Sequence, residues 1–141
     1  MPNPTSYIFD AFALMAYFEN EPSGERVEQL LYNAEERKIR ICLSVINLGE
    51  VLYTVERKHG LSKAHNTLAL IQEMPIVVLP VDDQTVFAAA HVKANYPVSY
   101  ADAFVIAIAQ SIKAIIVTGD PKFHDVTDFV EIEWLQQRKS K

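Results

Sequence analysis

The chain has 141 residues, half of them apolar and 22% charged, with a net charge of −5. This length and composition predict one globular domain, residues 1–141, with a sizeable core, and argue against a disordered chain. The apolar runs break at Asp102, Gln110 and Lys113, short of the ~20 residues of a membrane helix, and the acidic balance gives no basic nucleic-acid footprint.

The opening "MPNPTSYIFD" lacks the basic and apolar regions of a secretion signal. Cys42 is the single cysteine. It excludes an internal disulfide and a cysteine-based metal site, and it suits a reducing cytoplasm.

In chain order, "TSYIF" is β-branched and aromatic and predicts a strand ending at Asp10. "AFALMAYFEN" predicts a helix closed by "EPSG". "GERVEQLLYNAEERK" spaces Val27, Leu30, Leu31 and Ala34 as one helical face. The strand "IRICL" leads into the helix "SVINLGEVLYTVERKHG", with Ser44 as N-cap and Gly60 as stop. "LSKAHNTLALIQEM" is a further helix and "PIVVLPV" a strand. "QTVFAAAHVKANY" and "YADAFVIAIAQSI" are two more helices, followed by the strands "AIIVT" and "FVEIEWL".

"IVVL" and "AIIV" are continuously apolar, as strands are when helices cover both faces of a parallel sheet. The alternation of strands and helices predicts a three-layer α/β fold. In such sheets ligands sit beyond the carboxyl ends of the strands.

Four carboxylates fall at that rim. Asp10 ends the first strand, and Asp120 closely follows "AIIVT". Asp102 heads a helix with no polar side chain between Ala103 and Ala109. Glu50 lies two turns into its helix, at the edge of the apolar face beside Ile46 and Tyr53. Each has a plainer explanation. Asp10 and Asp120 (before Pro121) suit helix or turn caps, Ser99 to Asp102 spells a near capping box, and Glu50 suits a solvated charge. Together they repel, since two charges ~4 Å apart cost about 4 kcal/mol at an effective dielectric of about 20. Proton uptake or a divalent cation relieves that repulsion, and hard oxygen donors favour Mg²⁺ or Mn²⁺ over zinc. A cation at such a rim attracts a polyanion and supports phosphodiester hydrolysis.

Asp10 in "FDAFAL", Glu50 in "LSVINLGEVLY", Asp102 in "SYADAFVIAIA" and Asp120 in "VTGDPKF" resemble the acidic motifs of PIN-domain proteins. The likeness is greatest to the VapC-type toxins of toxin–antitoxin pairs and covers nearly the whole chain. It implies a parallel sheet of about five strands flanked by helices. It also implies a Mg²⁺- or Mn²⁺-dependent ribonuclease, dimeric and neutralised by a cognate antitoxin. Asp10, Glu50, Asp102 and Asp120 would surround the metal, with Ser44 and Thr118 as supporting hydroxyls.

Two other classes compete. A phosphoacceptor receiver needs an acidic pair after its first strand and a lysine ending its last core strand. Here Asp82 and Asp83 follow a later strand, and Thr118, Gly119 and Asp120 stand in place of the lysine. A nuclease-inactive binding scaffold would bind metal poorly. His59, His65, His91 and His124 form no His-x-x-x-His pair and read as ordinary surface or core residues. "EERKIR", "ERKHG" and "RKSK" read as solvated ends, with RNA backbone contact as the alternative for the first two. Phe12, Met15, Tyr17 and Phe18 predict core packing, or a groove for an antitoxin segment.

Overall fold

In the computed structural model, which describes residues 3–136, the β-branched and aromatic stretches form five short strands. These are β1 (Thr5–Phe9), β2 (Ile39–Ser44), β3 (Val77–Leu79), β4 (Ile115–Thr118) and β5 (Ile132–Trp134). They pair in parallel in the order β3-β2-β1-β4-β5. The helical periodicities become α1 (Ala11–Phe18), α2 (Gly24–Glu35), α3 (Val45–His59), α4 (Leu61–Glu73), α5 (Asp83–Asn95) and α6 (Tyr100–Ile112). A 3₁₀ turn, Pro121–Val126, joins β4 to β5.

Successive strand residues point to opposite faces, and this divides the core. Ile8, Cys42 and Ile116 face α5 and α6, packing on Phe104, Ile106 and Val92. Phe9, Ile41, Leu43 and Val117 face the other way, against residues of α1 to α4 such as Leu14, Leu30, Val51 and Ile71. The result is the three-layer α/β arrangement with a central parallel sheet. Residues Asp102 to Ala109 of α6 are all buried, as expected of a helix apolar on nearly every face. Among the described residues no helix is long and apolar enough to cross a membrane.

Local signals set the boundaries. Ser44 accepts the Ile46 N–H (3.1 Å) and starts α3. Gly60 ends it with φ +91°, a conformation that side chains disfavour, and its N–H returns to the Glu56 carbonyl. The Asp82 side chain accepts from the Thr85 N–H and hydroxyl at the start of α5. That Asp82–Asp83 pair therefore serves a helix terminus, unlike the acidic pair of a receiver.

Three expectations need correction. "PIVVLPV" shrinks to the three residues of β3, bounded by Pro75 and Pro80, which lack a ladder N–H. It is an edge strand with Val77 exposed, so its continuous apolar run does not mean cover on both faces. β5 is also shorter than "FVEIEWL", because Phe129 and Val130 bond back to the Val126 carbonyl and complete the 3₁₀ turn. Finally, Ile46 and Tyr53 do not join the core; Asn47, Leu48, Val51 and Val55 do. The "RKSK" tail lies outside the described residues.

Phe104 is fully enclosed between the sheet and α5. Phe104→Ala should cost about 3–5 kcal/mol of stability through lost burial and a residual cavity. Tyr53→Ala, on an exposed side chain facing Arg57, should cost under about 1 kcal/mol. Urea midpoints check this ordering, and equal losses would contradict the core assignment.

Candidate active site

The strand register builds the rim. Phe9 pairs with both Leu43 and Val117, so the next residues, Ser44, Asp10 and Thr118, come level at the carboxyl ends of three adjacent strands. Asp10 is almost fully buried. Its Oδ1 accepts the Ala13 N–H at 2.9 Å, capping α1, and its Oδ2 accepts a hydrogen bond from the Thr118 hydroxyl. The Thr118 oxygen in turn accepts the Asp120 N–H at 3.0 Å. One buried hydroxyl therefore ties the Asp10 carboxyl to the Asp120 backbone. Asp120 Oδ1 accepts the Lys122 N–H at 3.0 Å and starts the 3₁₀ turn. Gly119 is required between them, because an added Cβ would lie 2.4 Å from the Phe12 ring.

Asp102 enters from α6. Ser99, not Asp102, caps this helix, its Oγ accepting the Asp102 N–H at 3.1 Å. Glu50 enters from α3, half-buried, with Asn47 Nδ2 3.5 Å from its Oε1. The same Asn47 amide donates to the Ala101 carbonyl at 3.3 Å, joining α3 to the first turn of α6. Ser44 is buried and its hydroxyl serves the α3 terminus; Thr118 bonds Asp10 directly. Sequence reasoning passed over Asn47. Its signal was the spacing Ser44, Asn47, Glu50, three residues apart on one stripe of α3. Asn47 is fully buried, and its Oδ1 has no hydrogen-bond partner.

The four acids are electrostatically one group. Burial pushes Asp10 from its ordinary 3.8 up to about 8, against the Thr118 and Ala13 hydrogen bonds, and the charges of Asp102 and Asp120 add to the rise. Burial likewise lifts Asp102 to about 6; Ser99 and Lys122 oppose the rise, while Glu50 and Asp120 reinforce it. Glu50 is raised by burial and by Asp120, with Asn47 pulling down. Asp120 thus bears on all three of the others.

Among the described residues, no three His, Cys, Asp or Glu side chains form a group that could hold a metal by themselves. The donor set still suits a hard divalent cation. Mg²⁺ is usually held by one or two carboxylates, with water and phosphate oxygens completing its shell. Asp10 and Asp102 are buried carboxyls that favour their protonated forms without a cation; a divalent ion would displace those protons, and a carboxylate retains acceptor capacity beyond one bond per oxygen.

The family model described as PIN domain matches residues 7–128. The chain belongs to the PIN-domain family. No curated protein sequence matches it. Solved structures share its fold. A chain of the DNA-bound VapBC of Salmonella typhimurium aligns with 19% identity and a TM-score of 0.71, over 92% of this chain and 97% of that one. A chain of Rickettsia felis VapBC2, bound to a promoter DNA fragment, gives 16% identity and 0.73, over 94% and 100%. Mycobacterium tuberculosis VapC20, a toxin that cleaves the sarcin-ricin loop, gives 17% and 0.69, over 90% and 98%.

The remaining sequence candidates lie apart from the acids or on the surface. All four histidines are exposed. "EERKIR" and "ERKHG" sit where β2 starts and α3 ends, at the opposite end from the rim, roughly 20 Å away by the length of α3. Lys38 pairs there with Glu36, and Lys58 with Glu19. Phe12, Met15, Tyr17 and Phe18 pack partly buried against the core.

The raised carboxyls make a linkage prediction for this PIN domain without metal. A carboxyl raised on folding contributes stability that is complete below its unfolded value, near 3.8 for Asp10. That stability is lost as pH rises through the folded value, about 8 for Asp10 and about 6 for Asp102. In EDTA the urea midpoint should fall from pH 5 to pH 8. Asp10→Asn, whose amide oxygen still caps α1, should flatten that fall; a midpoint that rises over this range would contradict the burial argument.

Proposed function

We propose that this PIN domain is a metal-dependent endoribonuclease, the toxin of a type II toxin–antitoxin pair, working as a single domain in the cytoplasm. One observation carries the reading. Four carboxylates from four separate segments face one rim, and the charge of Asp120 adds to the rise that burial imposes on the other three. A scaffold has no use for that arrangement, which works against stability.

Of Asp10, Glu50, Asp102 and Asp120, one or two would bind Mg²⁺ or Mn²⁺ directly and the others through its water shell. The bound cation would neutralise the rim, draw phosphate oxygens to it and make water more acidic. The chain's own residues do the rest. Thr118 holds Asp10 and the Asp120 backbone in fixed relation, and Asn47 holds Glu50 against the head of α6. Glu50 is half-buried and reachable, so it can accept a proton from water attacking phosphorus. Lys122, beside Asp102 in charge, can meet a phosphate oxygen.

Two surfaces support the partner readings. Val45, Ile46, Tyr53 and Tyr100 are exposed on the two helices that supply Glu50 and Asp102, which suits a second copy of the chain. A cleft of about 520 Å³ is lined by Tyr17, Phe18, Leu70 and Met74 together with Glu21, Glu25 and Glu28. Its mixed apolar and acidic lining suits an antitoxin segment carrying apolar and basic side chains, and an antitoxin arginine could also compete at the acidic rim. The VapBC names of the structural relatives agree with such a pair.

With Mg²⁺ or Mn²⁺ the purified chain should cut single-stranded or looped RNA, and EDTA should stop it. Water as nucleophile leaves 5′-phosphate and 3′-hydroxyl ends. Asn at Asp10, Asp102 or Asp120, or Gln at Glu50, should each lower cleavage by roughly 100-fold or more, because such a site fails as a unit. Asp10→Asn should also weaken Mn²⁺ binding measured by calorimetry. Cyclic-phosphate products, or full activity in EDTA, would refute the reading.

A further inference from the structure

Trp134 is the only tryptophan in the chain, and 38% of it is exposed. It ends β5 at the same rim as the acids, since Thr118 pairs with Trp134 across β4 and β5, and the Leu135 N–H bonds the Thr118 carbonyl at 2.9 Å. Adjacent strands lie ~4.8 Å apart. The tryptophan therefore stands one strand from the hydroxyl that fixes Asp10.

His124 stacks on it, with ring centroids 4.1 Å apart and planes inclined by 20°. His124 is exposed and belongs to the 3₁₀ turn that Asp120 caps. Both rings are thus tied by short backbone routes to the acidic centre: His124 through Asp120, Trp134 through the β4–β5 ladder. Lys122, on the same turn, carries positive charge beside Asp102.

We propose that His124 and Trp134 form a nucleobase-stacking platform that seats one base of a single-stranded RNA beside the acidic rim. The proposal rests on the nuclease reading and adds to it the part of the substrate that is recognised. Base–aromatic stacking tolerates any sequence and needs no positive charge, which matters for a chain of net charge −5. Because the two rings lie face to face, the stack offers a base the outer face of one ring while the other ring backs it. Splayed single-stranded bases are available for such contacts, whereas bases paired in a duplex are not.

The sole tryptophan makes the test direct. Asp102→Asn protein in Mg²⁺ is titrated with a short fluorescently labelled oligoadenylate and, separately, with an abasic oligomer of equal length. Anisotropy reports binding, and Trp134 emission reports stacking. The expected result is saturable quenching by the oligoadenylate and none by the abasic oligomer. Trp134→Ala should weaken oligoadenylate binding roughly 10- to 100-fold, the scale of one base–aromatic stack, with Trp134→Phe recovering most of it. His124→Ala should produce a smaller loss in the same direction. In otherwise unaltered protein, Trp134→Ala should raise KM for cleavage more than it lowers kcat. Binding by anisotropy without quenching would overturn the platform and leave these rings to a protein contact; no binding of either kind would also overturn it. Quenching by a chain whose unaltered form cleaves nothing in Mg²⁺ or Mn²⁺ would keep the platform and refute the nuclease reading, so the two failures are distinguishable.

Discussion

The hydrogen bond from the Thr118 hydroxyl to the Asp10 carboxyl joins β4 to β1 one residue past their last paired positions, Phe9 and Val117. It lies in a nearly dry environment, where a lost partner leaves a polar group unsatisfied. The sheet register, Phe9 opposite Val117, brings the two residues level, and the first and last acids of the rim are fixed by the same oxygen. α1 begins at Asp10 and the 3₁₀ turn at Asp120, so the direction in which the chain leaves each strand depends on it as well. A shift of one residue in either strand would carry the carboxyl to the opposite face and dissolve the site.

The same economy explains Asp102 at the head of an otherwise apolar helix. Ser99 takes the capping role, so Asp102 is spared it. The partial positive charge at the start of α6 favours a carboxylate there, yet burial and the neighbouring acids still outweigh that help and raise its proton affinity. The apolar remainder of α6 is what makes the position rigid: seven consecutive buried residues follow it. A stable core element therefore holds an unfavourable charge in place, and a cation or a proton resolves the conflict.

Much of this was legible in the residues. Strand and helix order followed from the β-branched and aromatic composition of β1, the i, i+3, i+4 spacing of α2 and the Ser44 and Gly60 boundaries of α3. The rim position of Asp10 and Asp120 followed from strand direction, and those of Asp102 and Glu50 from their places in helices. What sequence could not supply was depth and contact. Ile46 and Tyr53 are apolar but face outward, since only three-dimensional packing decides which edge of α3 meets the sheet. "IVVL" read as a strand covered on both faces because its edge position depends on strand order, a nonlocal fact. Asn47 was passed over for the opposite reason: despite its spacing from Ser44 and Glu50, a polar residue on an amphipathic helix looks solvated until α6 closes over it. The stacking of His124 on Trp134 joins residues ten apart across a 3₁₀ turn that no periodicity announces.

The charge of the chain then bears on how such a protein could hold RNA. Its basic runs sit at the far end of α3 and are partly neutralised by Glu36 and Glu19, so they offer the rim no counter-ion release of the kind that drives most nucleic-acid binding. Near the acids, the charge of Lys122 favours ionised Asp102 while those of Glu50 and Asp120 oppose it. On the proposed nuclease reading, affinity would come from sources that do not scale with protein charge: a divalent ion shared between carboxylates and phosphate, and contacts to the uncharged faces of the bases. On that reading, an acidic surface with these two local sources would reject duplex backbone in general and favour strands whose bases are already unpaired. Selectivity for exposed RNA loops would then follow from what the surface repels as much as from what the site attracts.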